Sequence, residues 1–117
     1  MTEQIFILGL IIHFLADFAL QTKDQAEKKS ISIAWLSHHV SVYSLIWLLV
    51  ILPFGLVLAC KFAFITFICH FVTDYCTSRL GKPFWEAGDY HTGFVVVGFD
   101  QILHYIQLYY TYTLLFG

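Results

Sequence analysis

The 117-residue sequence predicts an all-α, polytopic membrane protein: one integral domain, residues 1–117, with four transmembrane helices arranged as two hairpins. Three observations predict it. Apolar residues make up 59% of the chain and charged residues only 12%, about half the charge of an average soluble domain, and mean hydropathy is +0.74. The apolar residues fall in four runs of roughly the 20 residues needed to cross a hydrocarbon core of about 30 Å. The runs are continuous, without the period-2 alternation of a transmembrane β-barrel.

The spans are expected at about residues 4–21, 33–52, 56–78 and 92–116. Pro53-Phe54-Gly55 separates the second and third, and a proline and glycine this close read as a helix stop and tight turn. Two polar connections remain, Thr22–Ser32 and Arg79–His91. Four spans put both on one face. They hold Lys23, Lys28, Lys29, Arg79 and Lys82, against Lys61 alone toward the other. The positive-inside rule makes the connection face cytoplasmic and both termini external, in a bacterial-type inner (cytoplasmic) membrane.

The composition excludes other classes. A net charge of -2 and pI near 6.3 leave no basic face for nucleic acid. Cys60, Cys69 and Cys76 lie in apolar segments without paired spacing, so no disulfide framework is expected. Glu3, His13 and Asp17 in the first span argue against a cleaved signal peptide. Four helices from so short a chain make a thin bundle, for which a homo-oligomer is a reasonable state. Gly9 and Gly98 are expected to permit close helix packing.

An internal repeat carries the chemistry. His13-Phe14-Leu15-Ala16-Asp17-Phe18 and His70-Phe71-Val72-Thr73-Asp74-Tyr75 share the pattern H-F-x-x-D-aromatic, and the fourth span holds the reverse order, Asp100…His104. Residues i and i+4 lie on one helical face, so each pair presents an imidazole and a carboxylate together. His38 and His39 are adjacent and about 100° apart on a helix, so one of them faces a common site squarely. Counted from the connection face, Asp17, Asp74, His13, His70, His39, Asp100 and His104 fall in a layer roughly 6–16 Å deep.

An aspartate near the centre of a span costs about 2.5–3.5 kcal/mol on insertion scales, and no Lys or Arg is expected at this depth to pair with Asp17, Asp74 or Asp100. A divalent cation would compensate them. The N/O ligands His13, Asp17, His39, His70, Asp74, Asp100 and His104 suit one or two divalent transition-metal ions (Zn, Mn or Fe) rather than Ca or Cu(I). Hydrogen-bonded bundle glue and a proton relay draw on the same residues. Gln21, one turn beyond Asp17, is expected to orient it. Glu86, Asp89 and His91 read mainly as a solvated loop.

Taken together, H-x-x-x-D-F-x-x-Q (His13, Asp17, Phe18, Gln21), His39 followed by Val40 and Tyr43, H-x-x-x-D (His70, Asp74) and D-Q-x-x-H (Asp100, Gln101, His104) resemble a family of small bacterial and phage membrane proteins, domain-of-unknown-function family thirty-three-oh-seven. The resemblance covers nearly the whole chain and implies that His39, not His38, joins the site. It brings no activity with it. The intramembrane His and Asp also resemble, more loosely, membrane-bound metal-dependent hydrolases of the SOS-induced type, although their H-R-x-x-T-H-S signature is absent here. The expectation is a divalent-metal site near the cytoplasmic face acting as a hydrolase of a lipid or lipid-linked phosphate, with Asp100 as base. An ion or proton transporter, and a non-catalytic phage or bacterial accessory protein with a structural His/Asp cluster, remain alternatives.

Overall fold

The computed structural model describes residues 3–117, and every element in it is helical. Helix α1 (Glu3–Phe14) continues into one π-helical turn, Leu15–Ala19. A short helix α2 (Lys23–Lys28) follows. Helix α3 (Ile33–Ile51) ends in a 3₁₀ turn, Leu52–Phe54. Helices α4 (Leu56–Glu86) and α5 (Tyr90–Phe116) complete the chain. Helix α4 packs between α3 and α5, and the first helical run meets this layer at its π turn, against α3.

Local chemistry explains the joints. Pro53 sits at the start of the 3₁₀ turn, and Gly55 takes φ +135°, a conformation other residues rarely adopt, to reverse the chain into α4. Helix α4 closes with Gly88 at φ +75°. The Gly88 N–H donates to the Trp85 carbonyl at 3.2 Å and the Asp89 N–H to Phe84 at 2.9 Å, which together form a Schellman cap. Asp89 then caps α5 by accepting from the Thr92 N–H, and this bond holds its carboxyl below the usual range. Asp89 is thus a helix cap.

Three expectations need correction. The third helix does not stop at Ser78 but runs eight residues further, through Pro83, to Glu86. A proline removes one backbone bond, which is tolerable where the helix emerges among polar residues. The first connection is partly helical, because Thr22 and Gln25 form a reciprocal capping box that starts α2. Gly9 and Gly98 pack against nothing: a Cβ built on either meets no atom within 4 Å. The close approaches are at Gly81, whose Cβ would lie 3.4 Å from Val96, and at Gly93, whose Cβ would lie 2.7 Å from the Trp85 ring.

The exterior and interior reverse the pattern of a soluble bundle. Ile7, Leu49, Phe64, Phe94 and Leu114 are exposed, while His13, Asp17, His39, His70, Asp74, Asp100 and His104 are buried. An apolar core of Tyr43, Trp47, Ile51, Ala59, Phe62 and Ala16 fills the space beyond the polar layer. Among the described residues, two helical segments, Ile33–Phe54 and Leu56–Glu86, are long and apolar enough to cross a membrane. Helix α1 is shorter, and Asp100, Gln101, His104 and Gln107 make α5 more polar.

Candidate metal centre

Four helical segments deliver the polar side chains to one point. The π-helical turn opens the first helix by one residue, with the Leu20 N–H reaching back five residues to Leu15 at 2.9 Å. It carries Asp17 and Ala16 inward while Phe14 and Phe18 stay exposed. Single π turns of this kind recur at functional sites. Helix α3 brings His39, α4 brings His70 and Asp74, and α5 brings Asp100 and His104.

At the centre, His39 Nε2 lies 3.3 Å from His70 Nε2. His39 Nε2 is also 3.0 Å from Asp17 Oδ1 and 3.2 Å from Asp74 Oδ2. His70 Nε2 is 3.5 Å from Asp17 Oδ1 and 3.3 Å from Asp74 Oδ2. A tetrahedral ion with bonds of about 2.0–2.1 Å has ligand–ligand edges of roughly 3.3–3.4 Å. These five separations therefore have the size of such a cage. Asp17, His39, His70 and Asp74 are buried and positioned to bind a metal ion.

A second group adjoins the first. Asp17, Asp100 and His104 also bring ligand atoms within 4.8 Å of one another. His104 Nε2 lies 3.1 Å from Asp74 Oδ1 and 3.1 Å from Asp100 Oδ2. Asp74 thus turns one oxygen toward each group.

His13 is buried beside the cluster but belongs to neither group. Its Nε2–H donates to Gln101 Oε1 at 2.5 Å, and its Nδ1 accepts from the Tyr43 hydroxyl at 2.7 Å. The amide of Gln101 donates in turn to Asp17 Oδ2 at 3.2 Å and to Asp100 Oδ2 at 3.0 Å. Gln101 thus links His13 to two carboxylates, and His13 Nε2 itself lies 3.5 Å from Asp17 Oδ2. The expected role of Gln21 falls to Gln101: the buried Oε1 of Gln21 has no hydrogen-bond partner, because the π turn ends the helix before it.

Ring stacking positions His70. Tyr43 stacks on one side at a centroid distance of 3.9 Å and His104 on the other at 4.0 Å. Its Nδ1 has no hydrogen-bond partner. The Thr77 hydroxyl donates to Asp100 Oδ1 at 2.5 Å.

The expectation that no cation reaches this depth fails. Lys29 Nζ lies 3.2 Å from Asp74 Oδ2. The residue follows α2, which folds back over the layer. Gln25 holds α2 in place by donating from Nε2 to His38 Nδ1 at 2.6 Å, which gives the second α3 histidine a separate, structural task. Burial pushes the Lys29 ammonium down, but the carboxylates of Asp74, Asp17 and Asp100 outweigh it and hold it above the usual lysine value.

A cavity of about 580 Å³ leads from the cluster toward the polar connections. Asp17, Asp100 and Gln101 line it at the cluster, with Lys29, Lys82 and Trp85 around it. The model of a family described as a protein of unknown function, DUF3307, matches residues 5–117. The chain belongs to this family. No curated protein and no solved structure matches this DUF3307 member. All seven histidine and aspartate positions of the cluster fall inside the matched region of this DUF3307 chain.

Proposed function

We propose that this DUF3307 protein crosses a bacterial-type inner membrane four times, with both termini outside, and hydrolyses a lipid or lipid-linked phosphate at a divalent-metal centre near the cytoplasmic face. The observation that carries the reading is the convergence of His39 Nε2, His70 Nε2, Asp17 Oδ1 and Asp74 Oδ2 at tetrahedral-edge separations. Protons can join these atoms in pairs, whereas a divalent cation joins all four. Zn, Mn or Fe suits such a donor set. The group of Asp17, Asp100 and His104 would hold a second ion or complete the first site.

A bound ion would lower the pKa of a water and polarise a phosphoryl oxygen. The chain supplies the rest. Asp100 would take the proton of an attacking water; its being the most exposed of the three cluster aspartates at 7%, and its lining the cavity, support this role. Lys29 reaches the same cavity and can pair with phosphate oxygens on leaving Asp74. The buried carboxylates, the exposed apolar residues and the five-to-one basic asymmetry support the membrane reading.

The test is metal analysis of the purified protein before and after His70→Ala, followed by phosphate release from alkyl and prenyl phosphates. Stoichiometric metal, lost in the variant, and metal-dependent release are expected. Metal-free protein of full stability would remove the reading and favour a proton pathway or bundle glue.

A further inference from the structure

Two cavities share two of their walls, the first helical run and α5, while α4 and the first connection also line the polar one and α3 and α4 also line the apolar one. The polar one takes Asp17 and Phe18 from the first helical run and Val97, Asp100 and Gln101 from α5. A second cavity, of about 180 Å³, takes Phe6, Gly9 and Ile12 from α1 and Tyr105, Leu108 and Tyr112 from α5, with Trp47 behind. It is lined by apolar and aromatic residues and one glycine. His13 stands between them, its Nε2–H on Gln101 and its ring 5.2 Å from that of Tyr105.

Helix α1 is suited to such a seam. His13 is its only buried side chain, and Ile7 and Ile11 are exposed and lie outside the lining of the groove. A Cβ on Gly9 would meet nothing within 4 Å. We propose that the seam between α1 and α5 is a lateral slot for one hydrocarbon chain of an amphiphilic phosphate, its phosphate in the polar cavity and its chain in the apolar one. Only the phosphate end rests on the hydrolase reading. The lining argues for a chain: Phe6, Ile12, Leu108 and Tyr112 offer apolar and aromatic walls with no charged side chain among them. Continuity argues likewise. The apolar cavity begins beside the cluster on both helices, at Ile12 next to His13 and at Tyr105 next to His104, in the direction an amphiphile's chain takes toward the bilayer centre. The His13–Gln101 bond is the latch across the slot.

Trp47 lines the groove and can report on it. With Trp35→Phe and Trp85→Phe, Trp47 becomes the sole indole. The zinc-loaded protein in nanodiscs is titrated with trace dodecyl phosphate brominated near the chain end. Saturable quenching of Trp47 is expected, relieved by unbrominated dodecyl phosphate. Gly9→Phe, and Gly9→Leu as a milder change, should weaken it about tenfold. Quenching that survives zinc removal keeps the slot and counts against the phosphate reading. Quenching linear in probe and unchanged in both Gly9 variants overturns the slot. So does unchanged quenching with loss of a dimer in those variants, which would make the groove an interface between copies.

Discussion

His39 and His70 face each other through their Nε2 atoms at 3.3 Å, with a carboxylate oxygen from Asp17 and another from Asp74 completing the ring of contacts. Two facing imidazole nitrogens share at most one proton between them, and a cation satisfies both. Helices α3 and α4 present them side by side, and the stacked rings of Tyr43 and His104 hold His70 in place.

Metal content should therefore separate ligands from supports. His39→Ala and His70→Ala should yield protein with little or no zinc. His13→Phe removes a group that orients Gln101, and such outer partners typically contribute 10–100-fold in affinity. That variant should still fill at saturating zinc, with weaker retention against a chelator. Retention should fall as pH drops, since the imidazole ligands must be deprotonated. Equal zinc loss in all three variants would place His13 among the ligands.

Lys29 is positioned to compete with a metal ion for Asp74. Its ammonium lies 3.2 Å from the oxygen that belongs to the four-atom cage. Lys29→Met keeps the stem and removes the charge, so zinc affinity in chelator competition should rise about tenfold, roughly 1.4 kcal/mol. Unchanged or weaker binding would show that Lys29 supports the loaded site.

Much of this centre was legible because its signal is periodic. The pairs His13/Asp17, His70/Asp74 and Asp100/His104 could be placed on inward faces by counting residues. Lys29 was not, because depth along a span says nothing of a loop that folds back. The means were present in Thr22 and Gln25, whose spacing spells a capping box and hence a helix in the connection. Gln101 stood in the D-Q-x-x-H motif, but its contact with Asp17 depends on the π turn, which no spacing rule reveals. His13 kept the right neighbourhood, but its bonds to Tyr43 and Gln101 could not be read in advance, since a helical face does not specify which atom a ring nitrogen meets.

The mouth of the polar cavity depends on the absence of a side chain at Gly93. A Cβ there would lie 2.7–2.9 Å from three atoms of the Trp85 indole. Gly93→Ala should displace Trp85, shift its fluorescence and destabilise the protein by about 1–3 kcal/mol, the usual range for overpacking. Gly98→Ala, where the Cβ has open space, is the control and should change neither. An unmoved Trp85 signal in Gly93→Ala would show that the ring is not held there.

Asp17 and Asp74 sit in the two halves of the pseudo-repeat, and the structure brings an oxygen of each to the same two histidines. If they hold one ion, Asp17→Asn and Asp74→Asn should not act independently. Each change keeps side-chain shape and removes one negative charge. Either single variant should lose most of its zinc, and the double should lose little more activity, because groups that act as a unit are strongly non-additive. Independent hydrogen-bonding partners would behave otherwise: stability losses would add, as they do for sites without shared partners. Zinc content and thermal stability in detergent, measured for wild type, both singles and the double, decide between them. Zinc content unchanged in every variant, with additive stability losses, would reduce the cluster to a device that holds the helices together.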